Sequence, residues 1–535
     1  MIPDPAKLKF SHKHLTPEKA NLPALIVGVF KGLKKPEGVL ARIAKQTGAP
    51  VQELISSGEI RGVFKEFTTI PMGKGSPFRT MLVMGMGNRK SFNLDVLRSI
   101  MARAVRILRK IGRPTVAVVP SDFPGDVSET VEALTEGTLL GLYKFSKYLD
   151  PDSSPSSRPM NEIVFLHENK NSLKDGKAAS EKGEIMGWST NLARNLGNEP
   201  GNYCVPQTLA AEAKRLGKKH GLTVKVFEKK QLEKMGMGGI LAVGSAGKNP
   251  PLLITARYQG GRKGAPLIAL VGKGITFDAG GVSIKSNTGM HTMKYDMCGA
   301  AAVLGALDAI AGLKLPVNIL ALIPAAENLL DSQGYKPGDL IQIYDGRRVE
   351  IIDTDAEGRL LLADALSYAV AQDASLLVDA ATLTGGVIRA IGHVGSGVMG
   401  NNQWAIDLII EAGKRYAEKM WQFPLWPEFN VHLKSTVASI ANCHGSPVAS
   451  TPTAAKFLQH FVDKTPWVHL DIAGTASTEE DSTLYYHKPY LPKRGATGVG
   501  VRTIAHFIEL IAEECGSSMK KLTKVLADHQ IEEWQ

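Results

Sequence analysis

A chain of 535 residues exceeds what one compact core organises, so two domains are the first expectation. With 44% hydrophobic and 21% charged residues it has the composition of an ordinary soluble globular protein, and no run approaches the ~20 apolar residues of a membrane helix, so no membrane partner is expected. The formal net charge of +11 raises a nucleic-acid partner, but the lysines are spread through GLKKP, GKKHG, EKK and MKKLTK without an RNA- or DNA-binding motif, which favours basic solvated faces.

The opening MIPDPAKLKFSHKH has two prolines, an acidic residue and no apolar core, unlike a secretory signal. It has no arginine before Arg42, which weighs against a mitochondrial leader. Cys204, Cys298, Cys443 and Cys515 are scattered and form no CxxC, as expected of reduced thiols in a cytoplasmic protein.

Residues 1–170 read as an N-terminal α/β domain. LPALIVGVF, TMLVMGMG, TVAVVP and EIVFL have strand length and Gly or Pro boundaries. Between the second and third, the spacing of Leu97, Met101, Ala104, Leu108 and Ile111 predicts a helix from Leu94 to Ile111 with one apolar stripe. Arg98, Arg103, Arg106, Arg109 and Lys110 fill the rest, as on a solvated face, and Gly112 with Pro114 stops it. DPDSSPSSRP, 150–159, reads as a surface loop. Nothing in this domain carries visible chemistry.

Residues 171–202 read as a linker helix and turn. Residues 203–516 then alternate strand-like segments (LTVKVFE, LLITARY, LIALVGKG, VNILALIPA, SLLVDAA) with helix-like ones, which predicts a larger, doubly wound, mainly parallel α/β domain. In HLDIAG, His469 precedes a buried strand and reads as a structural hydrogen-bonding histidine. In the extension 517–535, Met519, Leu522, Val525, Leu526 and His529 at three- and four-residue spacing predict an amphipathic helix capped by Ser518.

The chemistry gathers in two segments, VGKGITFDAGGVSIKSNTGMHTMKYDMCGA (271–300) and DTDAEGR (353–359). They bring Lys273, Asp278, Lys285, Asp296, Asp355, Glu357 and Arg359 into surroundings of glycine and small apolar residues. LIALVG before Lys273 lacks polar alternation, so the charges begin where a buried strand ends, which in an open α/β sheet is the ligand edge. Carboxylates confined in a low-dielectric cleft repel one another unless cations neutralise them, and a pair of divalent metals does so. Asp278 and Glu357 are the natural bridges between two metals. Asp355 and Glu357, two apart, project to one side if the segment is extended. The ligand set is rich in oxygen, with Lys273 as an unusual nitrogen candidate. Zinc, manganese and magnesium all suit it, and the nitrogen tilts toward a transition metal.

Together, GKGITFDAGG, SIK, YDM and DTDAEGR resemble the leucyl (cytosol) aminopeptidase family, strongly over about 180–510 and weakly over 20–170. The resemblance implies two-metal exopeptidases that assemble as homohexamers and take peptides as substrates. It places metal ligands on Lys273, Asp278, Asp296, Asp355 and Glu357. Lys285 then polarises the scissile carbonyl and Arg359 holds a bicarbonate ion that handles the proton. Met293, Thr382, Leu383, Gly385 and Ala473 line the pocket for the amino-terminal residue, with Ala476 standing where the family has a methionine. That replacement implies a roomier pocket for Leu-like or bulky apolar side chains. Other departures are Asp353 in place of Asn, Val437 and Ser439 where many members have an Asp nearby, and Ser450 in place of Gly, all expected around the pocket. A second reading follows from them: an assembly or structural protein on the hexameric fold with weakened catalysis.

Overall fold

The computed structural model describes residues 8–150, 159–445, 448–479, 487–516 and 518–531. The Ser- and Pro-rich loop expected at 150–159 falls almost wholly outside them. The chain forms two compact units that divide between Asn191 and Leu192, and a short segment ending at Lys493 belongs to the first.

The first unit is a six-stranded sheet of β1 (Lys9–His14), β2 (Leu22–Val29), β3 (Phe67–Pro71), β4 (Phe78–Gly85), β5 (Thr115–Val118) and β6 (Glu162–His167), in the order β1-β6-β5-β2-β4-β3. Only β3 runs antiparallel to its neighbour. β4 is buried at seven of its eight positions, as a parallel strand covered on both faces must be. On β1 and β6, His12 Nδ1 lies 2.9 Å from His167 Nε2. Burial holds both imidazoles down at about 4, helped at His12 by the charges of His167 and Lys177.

Helix α1 (Leu94–Lys110) begins where Asn93 accepts the amides of Asp95 and Val96. Leu97, Met101, Ala104 and Leu108 are buried as the stripe requires, while Ile111 lies past the helix end and is 42% exposed. The arginine face is not solvated throughout. Arg98 is fully buried with Nε 2.6 Å from Glu136, and Arg106 Nε donates to Gly141 O at 2.7 Å. The cause is helix α2 (Val127–Leu142), which lies against α1 so closely that a Cβ on Gly137 would sit 2.8 Å from Arg98 Cα. The 487–493 segment completes this unit: Tyr490 and Leu491 are buried with Ala102 and Leu140, and Tyr490 donates to Asp95 at 2.6 Å.

Helix α3 (Lys170–Asn198) is one uninterrupted helix where the linker is expected, and the division between units falls inside it. The second unit holds a nine-stranded sheet. Its strands are β7 (Thr223–Phe227), β8 (Leu252–Gln259), β9 (Leu267–Gly272), β10 (Gly274–Asp278), β11 (Asn318–Asn328), β14 (Leu376–Ala381), β15 (Ser396–Gly400), β16 (Met420–Gln422) and β18 (Trp467–Asp471). They are ordered β16-β15-β18-β14-β9-β11-β8-β7, with β10 also on β11. The centre β18-β14-β9-β11 is parallel, and the antiparallel pairs β15 on β18, β11 on β8 and β8 on β7 lie outside it. A small sheet of β12 (Leu340–Gln342), β13 (Arg348–Glu350) and β17 (Ile440–Ala441) accompanies it.

Helix α4 (Cys298–Gly312) packs so tightly that a Cβ on Gly299 would meet Ala380 O at 2.1 Å. With the turn before it, Met290–Gly312 is long and apolar enough to cross a membrane, contrary to the expectation from the sequence. Its apolar window is 94% buried inside the unit, so it is a core helix. Helix α5 (Gly358–Val370) follows the second motif. Helix α6 (Met519–Asp528) forms in the extension, with Ser518 Oγ accepting the amide of Lys521. Leu522 and Leu526 are buried, while Met519 and His529 are exposed. It docks on its own chain: Leu526 O accepts Asn402 Nδ2 at 2.6 Å, and Ile531 N donates to Asn401 O at 2.9 Å.

Candidate metal centre and substrate cleft

The parallel strands deliver their last residues to one edge, and the charged groups start there. Lys273 follows β9; its amide donates to Ala380 O on β14 and its own carbonyl accepts from Ala300. Its Nζ, in a residue 3% exposed, lies 2.8 Å from Glu357 Oε1, 3.0 Å from Asp296 Oδ1 and 2.9 Å from Thr382 O. Asp278 ends β10. Its Oδ1 accepts Gly280 N at 2.9 Å and Asn328 Nδ2 at 2.8 Å, and its Oδ2 is 2.8 Å from Lys285 Nζ.

Gly280 and Gly281 have φ of 88° and 64°, a left-handed pair that L side chains resist. They reverse the chain so that Lys285 N donates back to Ala279 O, and Lys285 Nζ then also reaches Asp355 Oδ1 at 2.5 Å. Asp296 lies in the short helical turn before α4 and accepts Thr382 Oγ1 at 2.7 Å, while its Oδ2 is buried without a partner among the described residues.

The DTDAEGR segment is a turn rather than an extended strand. Asp353 Oδ1 accepts the amide of Asp355 at 2.9 Å, and Glu357 already has helical φ and ψ at the start of α5. The bend nevertheless converges the carboxylates: Asp278, Asp355 and Glu357 each offer an oxygen within 4.8 Å of the others. Arg359, on the first turn of α5, is buried, donates from one terminal nitrogen to Asn442 O at 2.7 Å and leaves Nε without a partner among the described residues.

Four carboxylates and two lysines share this space. Burial raises Asp296 well above the usual carboxylate range; burial together with Glu357 raises Asp278. Burial, Asp278 and Glu357 lift Asp355 to about 7. Burial acts the same way on Glu357, but Lys273 and Lys285 outweigh it and hold that carboxyl low. The lysines are themselves pushed up, because the carboxylates overcome the burial that opposes their charge. Two ammonium groups balance half of the carboxylate charge. The oxygen cluster and the orphaned Asp296 Oδ2 therefore fit divalent metal ions, which prefer such hard donors.

All thirteen residues expected at the site border one cavity of about 960 Å³, including Met293, Thr382, Leu383, Gly385, Ala473 and Ala476. Of the departures, Asp353, Ser450 and Ala476 border it, whereas Val437 and Ser439 do not. Val437 is 61% exposed and Ser439 donates to Arg348 beside the small sheet, so these two are not pocket changes. Asp353, the extra carboxylate, shapes the turn. His469 stays in the core with Nδ1 2.6 Å from Asp379 Oδ1, in the structural role expected of it.

Sequence reading overlooked three residues that hold the site together. Asn328 orients Asp278. Asn442 donates to Asp353 O at 2.6 Å and accepts Ile352 N at 2.8 Å. Buried Asp471 accepts the amides of Leu383 and Ala473, each at 3.2 Å, and Thr384 Oγ1 at 2.6 Å, so one carboxylate ties together two walls of the cleft. Each is a polar residue at or just past the end of an apolar strand, in NILALIPAAEN, IAN and WVHLD, and that pattern is a usable signal.

Comparison with known proteins agrees with this geometry. The model of the cytosol aminopeptidase family catalytic domain matches residues 191–505, and that of the family's N-terminal domain matches residues 26–151. A probable cytosol aminopeptidase of Alkaliphilus metalliredigens is 38% identical over 482 residues, 90% of this chain and 95% of that protein. One from Geobacter sulfurreducens is 39% identical over 487 residues, 91% and 96% respectively. Among solved structures, a tomato leucine aminopeptidase mutant is similar with a TM-score of 0.82 at 26% identity, covering 94% of this chain and 96% of that one. The bottromycin maturation enzyme BotP is similar with a TM-score of 0.79 at 29% identity, covering 92% and 100%, and has also been solved in complex with Mn. With both family domains matched in order and the carboxylate cluster at the edge of the larger sheet, the chain belongs to the cytosol aminopeptidase family and is a metallo-aminopeptidase.

Proposed function

We propose that the chain removes the amino-terminal residue from peptides that begin with a Leu-like or bulky apolar side chain, using two divalent ions. The observation that carries this reading is the convergence of Asp278, Asp355 and Glu357 oxygens within 4.8 Å at a 960 Å³ cavity that holds both charged and apolar walls. Lys273, Asp278, Asp296, Asp355 and Glu357 would hold the ions, with Asp278 and Glu357 shared between them. Zinc or manganese suits the single nitrogen donor better than magnesium does. Such ions supply Lewis acidity and lower the pKa of water toward neutrality.

The remaining work falls to this chain's own groups. Lys285, on the turn after Gly281, presents its ammonium to the scissile carbonyl and stabilises the charge that develops on its oxygen. Arg359 stays cationic and would hold a bicarbonate ion beside the start of α5, where backbone amides also favour an anion. Met293, Thr382, Leu383, Gly385, Ala473 and Ala476 receive the first side chain. We further infer a cytoplasmic location, in keeping with relatives named cytosol aminopeptidases, and a homohexamer, as the family resemblance implies.

Removing metal with a chelator should abolish hydrolysis of leucine anilides and lower the melting temperature, and returning Mn or Zn should restore both. Unchanged hydrolysis and melting after verified removal would sink the metal reading. Full metal loading without hydrolysis of Leu, Met or Phe substrates would favour an assembly role on the same fold.

A further inference from the structure

The N-terminal unit has a feature that the peptidase reaction does not use. After β2 the chain moves toward β4 and β3, whereas after β5, the neighbour of β2, it moves toward β6. Adjacent parallel strands whose connections leave in opposite directions open a crevice beyond their carboxyl ends, and ligands bind there. A cavity of about 370 Å³ occupies that position, bordered by the end of β2 and the loop after it (residues 28–33), Met86 and Arg89 after β4, and Asp122 after β5. The volume is within the ~300–1,000 Å³ of small-molecule sites.

The cations at its rim have no ion-pair partner among the described residues, whereas Asp122 at its base feels the charges of Arg42 and Glu168. Lys31 and Arg89 stand at the exposed rim with no carboxylate partner among the described residues, and the Arg89 guanidinium lies 4.2 Å from the ring centre of Phe30. Deeper in, Asp122 Oδ1 accepts the amide of Val39 at 2.9 Å, and its Oδ2 has no hydrogen-bond partner among the described residues. Two cations without an ion-pair partner among the described residues, one of them held over the Phe30 ring, and a carboxylate oxygen with free lone pairs form a recognition surface with two ends. One end takes an anion and the other takes N–H or O–H donors. Glu37, the remaining charged group, is exposed at the rim.

We propose that this crevice binds a small phosphorylated metabolite of mononucleotide size, with its phosphate against Lys31 and Arg89 and a hydroxyl or amino group donating to Asp122. The proposal is independent of the metal centre. Calorimetric titration of the full chain with adenosine monophosphate, ribose 5-phosphate, adenosine and inorganic phosphate tests it. The two phosphorylated compounds should bind saturably and more tightly than either adenosine or inorganic phosphate. The double variant Lys31→Ala, Arg89→Ala, both at exposed positions, should weaken them at least ~10-fold (~1.4 kcal/mol) with peptidase rate and melting temperature unchanged. Asp122→Asn should weaken them separately; if it unfolds the unit through Val39, the double variant decides alone. No binding at millimolar concentration overturns the proposal. So does binding that is equal in the double variant, which would place the phosphate elsewhere, or inorganic phosphate binding as tightly as the larger probes.

Discussion

Beyond β9, β10 and β11 the catalytic unit packs four carboxylates against two lysines, most of them buried and within 3.0 Å of a partner. Beyond β2, β4 and β5 the N-terminal unit keeps an open crevice with lone charges at its rim. The same sheet edge thus serves both units, and the difference lies in desolvation. Charges removed from water must hold each other or a metal, so they come as a fixed set. Charges left in water cost little and carry no obligatory partners.

The sharpest way to break this contrast is to remove one member of the buried set. Glu357→Gln should lower kcat/KM by more than ~10³-fold, and Lys285→Ala by ~10²–10³-fold, the range for losing one transition-state contact. The reverse order, measured on leucine anilide, would mean that Glu357 is not the shared bridge. Neither change should alter ligand binding in the N-terminal unit.

Acid separates the units next. His12 and His167 have folded pKa values of about 4, below the ordinary 6.5, so their neutral forms stabilise the fold above pH 6.5 and that contribution is lost as pH falls toward 4. Differential scanning calorimetry from pH 7 to pH 4 should show the N-terminal unit losing stability, and His167→Gln should flatten the slope. An unchanged slope in the variant would place the acid sensitivity elsewhere.

Deleting residues 517–535 should cost about 2–4 kcal/mol of catalytic-unit stability, because Leu522 and Leu526 lose their buried positions. If urea melts show no loss but the oligomer dissociates, α6 serves assembly instead. The smallest effect is expected in the pocket. Ala476→Met should raise the Leu-over-Phe ratio of kcat/KM up to ~10-fold, since filling one apolar gap changes ~1–3 kcal/mol. A strong Leu preference before the change would show that a neighbour already fills the space.

The same physics explains what sequence could and could not disclose. Lys273, Asp278, Lys285, Asp296, Asp355, Glu357 and Arg359 are legible because they crowd into two short segments otherwise made of glycine and small apolar residues. The strands were legible because parallel strands are apolar throughout. Arg98 and Arg106 were not, since helix periodicity cannot report that Gly137 and Gly141 bring a second helix onto the arginine face. Asp355 and Glu357 converge by a turn, which Asp353 and Asn442 build through contacts distant in the chain. Val437 and Ser439 looked like pocket changes only because alignment by motif carries no depth. The N-terminal crevice left no trace because its members come from three separate loops and none of them repeats.

The segment that ends at Lys493 also sets a schedule for synthesis. Tyr490 and Leu491 are buried in the first unit, yet they lie about 300 residues beyond Asn191. On a ribosome adding ~5–20 residues per second, the helix pair of the first unit therefore waits roughly 15–60 s for its last piece. During that interval α1 and α2 lack the cover that Tyr490 and Leu491 give to Ala102 and Leu140. The nascent first unit is then a natural client for chaperones until nearly the whole chain has emerged.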